Sequence, residues 1–416
     1  MIVLKGRVIK GTGEEPIEKG LVIVEGNKIK HVAKQSEYTI PENAQTIDAG
    51  DGSIMPGFIE QHCHLGGIGN VNVIMVYALS SYEKTCQAVY DMGQLINAGF
   101  TSVREAGGFA NYLKEPIAKG LIQGPRIHAA GRAICQTGGH ADAYQKFPIE
   151  FNSRNDLAAF VDSADEMRKA CREQFRAGAD FIKIMTTGGV TSQGDSPEHC
   201  QLSPEEIKTA VEEAGMRGTY VAAHAQTLRG IKNALKGGVK SIEHCFQLDE
   251  EALELFSKTG AWIVPTFTIL QCYLKFIDKM PPQVAEKSKW AGELHFETIS
   301  KAHKAGIKIG YGCDLISDPN IAAYGENNLK EFQYLTQIGM SPMEAIMAAT
   351  KTGSEIIMRE NELGTLEEGK LADITVCAGN PLPDISVLSK PDNITLVMID
   401  GIIKKNTNSI GGNNLG

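Results

Sequence analysis

The sequence has no apolar run near the ~20 residues that a membrane-spanning helix needs, so no transmembrane segment is expected. Its opening, Met1-Ile-Val-Leu-Lys-Gly-Arg7, lacks the basic-then-apolar build of a secretory signal. None of its nine cysteines falls in a Cys-x-x-Cys pair, and their odd number is widely spread. They read as reduced, mostly buried residues of a cytoplasmic protein, which excludes a disulfide frame and a thiolate zinc site. Positive charge is also short: Lys+Arg 41 against Asp+Glu 50 leaves a net charge of -9. Such a chain has no electrostatic reason to bind nucleic acid or an anionic membrane, and a small-molecule substrate is the expected partner.

What is present is ordinary globular usage, 42% hydrophobic and 22% charged over 416 residues. The 44 glycines suggest many tight strand–helix junctions. Residues 1–55 carry short β segments, among them a hairpin of Leu21-Val-Ile-Val24 and Lys28-Ile-Lys-His-Val32 about a Glu-Gly-Asn turn. Residues 361–410 look alike, with Asp373-Ile-Thr-Val-Cys377 and the run from Ile394 to Lys404 as strands. Two β-rich ends predict one small β-sandwich built from both termini, and 411–416 reads as a flexible tail.

Residues 56–360 alternate instead between β-branched runs and amphipathic stretches. Eight strands are expected, at 53–61, 101–105, 126–130, 181–185, 220–225, 241–245, 262–266 and 308–312. Helical patterns lie between them, for example at 155–177, 203–217 and 293–305. Ser203-Pro-Glu-Glu is a helix start, with a Ser cap and Pro at the first turn. Alternating β and α predicts a parallel sheet, and eight units predict an α/β fold of the closed (β/α)8, or TIM, barrel type.

Chemistry-bearing residues fall where those strands end. The first ends in His62-Cys63-His64, and alternation points His62 and His64 to one side. The fourth carries Lys183 between Ile182 and Ile184, the fifth His224, the sixth His244, and the eighth is followed by Asp314. Strand C-termini form the face on which barrel enzymes hold their sites. Four histidines and an aspartate suit zinc, which takes imidazole and carboxylate ligands. Taken singly, each has a plainer reading, as a hydrogen-bonded core histidine, an ion-paired lysine or a helix cap. His128, His199, His295 and His303 fall off the strand ends and read as structural or surface residues.

The pattern resembles the amidohydrolase superfamily of metal-dependent hydrolases. Met55-Pro-Gly-Phe-Ile-Glu-Gln-His-Cys-His64 is similar to its Pro-Gly-x-x-Asp-x-His-x-His signature, with Glu60 in place of Asp. The run from Gly364 to Asp373, followed by Gly379-Asn-Pro381, is similar to its C-terminal signature. Phe181 to Val190, Gly138-Gly-His-Ala-Asp142 and the pair His224 and His244 resemble the branch of prolidase-like dipeptidases, zinc-dependent carboxypeptidases and ochratoxinase-type amidases, with imidazolonepropionase a more distant cousin.

This resemblance implies two divalent metal ions, zinc by ligand type. His62, His64 and Asp314 would hold one, His224 and His244 the other, and a carboxylated Lys183 would bridge them. Burial favours that modification, because it lowers the lysine pKa and frees the amine to react with CO2. The implied reaction is attack of a metal-bridging hydroxide on an amide carbonyl, with Asp314 as general acid and base. His140, after the third strand, is implied as a substrate or oxyanion contact. Arg104 reads either as a bidentate partner of a substrate carboxylate or as the ion-pair partner of Glu105 or another barrel-end carboxylate. Gln226 stands where relatives carry Tyr or His, so it or His140 would steady the oxyanion. The loop 188–197 resembles a lid, and the Met280-Pro-Pro282 insertion with Trp290 would cover the site or a subunit contact.

The expected activity is hydrolysis of a dipeptide or N-acyl amino acid by a homo-oligomer. A cyclic-amide hydrolase is the alternative. A deaminase fits less well, since Lys183 is present and Ala225-Gln-Thr227 offers no Glu after the fifth-strand histidine. A non-catalytic assembly protein on the same fold should have lost ligands, and none is missing.

Overall fold

A computed structural model describes residues 1–67, 75, 78–142, 144–152 and 156–407. The expected tail at 411–416, and the start of the helix expected at 155, lie outside the described residues. At the centre is a ring of parallel strands: Phe58–Cys63, Phe100–Glu105, Arg126–Ala129, Ile182–Met185, Val221–Ala225, Ser241–His244 and Trp262–Val264. The eighth position is a run near 308–315 that closes the ring. It bonds to the seventh strand through Gly310 N–H to Ile263 O (2.8 Å) and to the first through Asp314 N–H to His62 O (2.8 Å). The barrel expected from the alternation of β and α is therefore observed.

The third strand is broken. Arg126–Ala129 pairs with the second strand, and the chain then resumes as Ala133–Cys135 against the fourth. Ala158–Phe160 adds outside it, where a helix was expected from 155. The helix proper is Ala164–Arg176, opened by Ser163, whose hydroxyl accepts from Glu166 N–H. The helix Pro204–Met216 starts as read, with a reciprocal capping box between Ser203 and Glu206.

The two chain ends supply one continuous hydrogen-bonded sheet of seven strands, a single small unit built from both termini. The reason is the long strand Gln45–Pro56, which pairs on both edges. It runs parallel to Ile2–Val8 and antiparallel to Ile374–Cys377, and so joins the N-terminal and C-terminal strands. The hairpin of Ile17–Glu25 and Lys28–Lys34 forms as expected. Leu4, Val22, Ile54, Ile374 and Leu396 form the core on one face of this sheet.

The strand expected at 53–61 is thus two strands, divided at Gly57. A side chain at Gly57 would lie 2.1 Å from Thr101 Oγ1, so only glycine lets the backbone pass from sheet to barrel. Near the N-terminal ends of the first two strands, Phe58 packs edge-on against Phe100 and Phe332. Burial of each such ring stabilises by roughly 1.5–3 kcal/mol, which leaves the opposite, C-terminal rim free to carry polar groups. Among the described residues no helix is long and apolar enough to cross a membrane.

Candidate active site

The strand alternation does what the sequence requires of it. His62 and His64 turn to one side at the end of the first strand, and Lys183, His224 and His244 come up on the fourth, fifth and sixth. These five residues line one cavity together with Asp314 and His140. His62, His244 and Asp314 bring one ligand atom each within 4.8 Å of the others. His64 and His224 flank them, with ring centroids 5.4 Å from His62 and 4.6 Å from His244.

Left-handed backbone recurs at this rim, with His244 at φ 74°, Thr266 at 58° and Asp314 at 56°. Non-glycine residues adopt that region at a cost of roughly 1–3 kcal/mol, and they persist there where the surroundings over-determine them. Here the turn re-aims each side chain off its strand and into the cavity.

Each imidazole has one nitrogen committed. His62 Nδ1–H donates to Glu243 Oε2 (2.7 Å), His64 Nδ1–H to Gly107 O (2.7 Å) and His224 Nε2–H to Gly188 O (3.1 Å). His244 Nδ1 pairs with Thr266 Oγ1 at 2.7 Å. A carbonyl or carboxylate oxygen can only accept, so the contacts of His62, His64 and His224 fix which nitrogen carries the hydrogen and leave a lone pair on the opposite nitrogen of the neutral ring, whereas the Thr266 hydroxyl can either donate to His244 or accept from it. His64 Nε2 and His62 Nε2 then face Asp314 Oδ1 at 3.1 and 3.5 Å. Lone pairs set against a carboxylate oxygen repel unless positive charge stands among them. The donor set therefore fits a divalent cation.

The electrostatics agree. Burial holds His62 and His224 well below the usual histidine range and pushes His244 down to about 3. Burial also opposes charge on Asp314, but positive charge on the His62, His64 and His244 side outweighs it and holds the carboxyl well below its usual range. Although burial opposes charge on His64 too, Asp314 in turn raises that ring above its ordinary value, so this corner of the site favours a positive charge. Lys183 is 1% exposed. Burial, aided by the Arg104 guanidinium and opposed by Glu243, brings its amine down to about 8.

His140 stacks on His224 with centroids 4.1 Å apart, and its Nδ1 pairs with Ser192 Oγ at 2.9 Å. Gln226 lines a recess that continues from the cavity. The loop 188–197 does lie over the site, since Val190, Thr191 and Ser192 line these spaces. It is held by Lys287 of the long helix Pro282–Lys304, whose amine donates to Gly189 O, Ser192 O and Asp195 O at 2.7–2.9 Å. The helix after the seventh strand thus touches the loop over the site through Lys287.

Arg104 requires a correction, because it is no substrate contact. It is fully buried below the cavity, and its guanidinium donates to both oxygens of Glu243 at 2.7 Å and to Ser241 Oγ at 2.9 Å. All of this lies inside the barrel, where a substrate carboxylate cannot reach. The partner is Glu243, 139 residues away, and not the adjacent Glu105. Glu60, the departure from the signature, braces the site. It accepts from His62 N–H (3.0 Å), Cys313 N–H (2.9 Å) and Asn328 Nδ2–H (2.8 Å), and so ties the first strand to the turn that carries Asp314.

Glu243, Thr266 and Tyr273 escaped the reading of the sequence. Glu243 stood in plain view between Ile242 and His244, and a carboxylate beside a ligand histidine is a signal of sorts. Nothing in the sequence marks Thr266 or Tyr273, whose roles depend on where the chain turns after the seventh strand.

Comparison with known proteins agrees with this geometry. The amidohydrolase family model matches residues 53–403. Ochratoxinase of Aspergillus niger is 31% identical over 428 residues, spanning 97% of this chain and 86% of that protein. A prolidase solved in complex with N-methylphosphonate-L-proline has a TM-score of 0.89 at 32% identity, covering 98% of this chain and 100% of that one. A Xaa-Pro dipeptidase with methionine bound in its active site has a TM-score of 0.88 at 31% identity, covering 97% and 100%.

Proposed function

This chain belongs to the amidohydrolase family and is a metal-dependent hydrolase acting on amide bonds, and we propose that it uses two divalent cations to cleave a small peptide-like substrate, a dipeptide or an N-acyl amino acid. The prolidase and dipeptidase likenesses support that substrate class. One observation carries the reading. The lone-pair nitrogens of His62 and His64 converge on Asp314 Oδ1, an arrangement that asks for a cation.

His62, His64 and Asp314 would hold one ion, and His224 and His244 the second. Lys183 would bridge them as a carbamate. Its neutral amine adds to CO2 with formation of an N–C bond and loss of one proton, and a pKa of about 8 supports this chemistry near neutral pH. Imidazole and carboxylate donors favour zinc. Bound there, paired cations would lower the pKa of a water molecule and polarise a carbonyl.

The chain supplies the rest. Asp314 takes a proton from the attacking water and delivers it to the departing amine, and its left-handed backbone aims the carboxylate at the cluster. His140, steadied by Ser192 and by stacking on His224, meets the substrate carbonyl oxygen. The loop held by Lys287 excludes bulk water. Glu243 fixes the tautomer and angle of His62.

The test is elemental analysis of purified protein combined with a hydrolysis screen over dipeptides and N-acyl amino acids that vary in the C-terminal residue. About two divalent metals per chain and turnover of part of the panel are expected. Protein free of metal after gentle purification, or metal-loaded protein inert across the panel, would overturn the reading.

A further inference from the structure

On the side of the fifth to seventh strands the cavity continues into a recess walled by Val190, Phe246, Ile269 and Leu270. Two polar side chains face these apolar walls. The hydroxyl of Tyr273 and Oε1 of Gln226 are buried and have no hydrogen-bond partner among the described residues. Tyr273 is 2% and Gln226 4% exposed. Leaving a buried polar atom unpaired costs about 1–3 kcal/mol. A fold carries two such atoms on the lining of one ligand cavity where the ligand completes them.

Both groups stand on rigid supports. Gln226 N–H donates to Thr187 Oγ1 (3.1 Å), which fixes the end of the fifth strand. Tyr273 belongs to the helix Phe267–Lys275, whose first amides donate to the buried carboxylate of Glu331 at 3.0 and 2.8 Å. Tyr273 also lines the main cavity beside Asp314. A substrate whose scissile bond lies at the cluster therefore passes Tyr273 as it extends into the recess.

We propose that the recess is the substrate's side-chain subsite and that Tyr273 and Gln226 together read a primary carboxamide. The phenol O–H donates to the carboxamide oxygen, and the carboxamide N–H donates to Gln226 Oε1. An uncharged group enters apolar walls at far lower cost than a charged one. A carboxylate of the same shape has no hydrogen to offer Gln226 and stands near Asp314. A wholly apolar side chain fits the walls but leaves both polar groups unpaired. The favoured residue is thus glutamine or a close homologue. The inference rests on the proposed orientation of an amide substrate at the cluster.

Calorimetric binding of free L-glutamine, L-glutamate and L-methionine to the metal-loaded enzyme tests this without turnover. Glutamine is expected to bind about tenfold or more tightly than either of the others, the scale of one or two buried hydrogen bonds. Tyr273→Phe removes one oxygen atom and should cancel most of that advantage, with metal content and unfolding midpoint unchanged. Gln226→Met should do the same. Glutamate or methionine binding as tightly as glutamine, no binding of any of the three, or an undiminished glutamine preference in Tyr273→Phe would each overturn the proposal. Hydrolysis without preference for glutamine counts against the subsite alone. Selective binding of glutamine with no hydrolysis of any amide counts against the proposed function alone.

Discussion

Glu243 offers the sharpest test of how this barrel supports its cluster. Its carboxylate is fully buried and accepts from Arg104 at 2.7 Å on each oxygen, from Ser241 Oγ at 2.6 Å and from His62 Nδ1 at 2.7 Å. Glu243→Gln keeps the volume but removes the charge and puts an N–H where only acceptors fit. Arg104, with no exposed surface, is then left with a buried and unbalanced charge. Breaking one side of a buried pair costs about 3–5 kcal/mol. His62 also exchanges its carboxylate partner for at best a neutral amide oxygen, which lowers metal affinity by about 10–100-fold. Urea unfolding of metal-free protein measures the first effect and a competitive metal titration the second. The double variant Arg104→Met/Glu243→Gln separates them. It should recover most of the stability, because no charge is left stranded, while metal affinity stays low, because His62 has at best a neutral amide oxygen in place of the carboxylate. Glu243→Gln with wild-type metal affinity and a stability loss under about 1 kcal/mol would refute the reasoning.

Three further outcomes are expected. Lys183→Ala should lose bound metal and activity, with partial rescue of both by short carboxylic acids that take the place of the carbamate; undiminished metal content in the variant would contradict the bridging role. Asp314→Asn should keep most of its metal but turn over about 10²–10⁴-fold more slowly, as the loss of a proton-transfer group requires, and an unchanged kcat would reject that assignment. His128 supplies a pH dependence away from the cluster. Its ring stacks on Phe181 with centroids 5.3 Å apart, and burial lowers its pKa from 6.5 to about 4. The folded chain thus resists a proton that the unfolded chain accepts. Stability is complete above about pH 6.5 and falls as the pH drops toward 4, by about 3 kcal/mol from this residue. His128→Phe keeps the stacking and should flatten that acid limb in urea midpoints taken between pH 7 and 4.5; an equally steep limb would show that other groups control it.

Some of this protein is written locally in its sequence. Alternation along a strand is a property of neighbouring residues, so His62 and His64 were bound to share a face wherever that strand ran. Apolar periodicity and Ser203 at its cap likewise marked strands and helices before any packing was known. Eight alternating units then left a closed barrel as the way to bury them, and residues at strand ends were committed to one rim. Other features depend on contacts that sequence distance hides. Arg104 reads equally well as a substrate clamp or an ion-pair partner, and only a carboxylate arriving from 139 residues away decides between them. The termini form one sheet because Gln45–Pro56 finds partners on both edges, and a strand's two edges carry no mark in its own side chains. The left-handed turns at His244, Thr266 and Asp314 and the unpaired hydroxyl of Tyr273 arise in the same way. Each is imposed by surroundings assembled from distant parts of the chain, and the free energy that holds them there exists only once the barrel has closed.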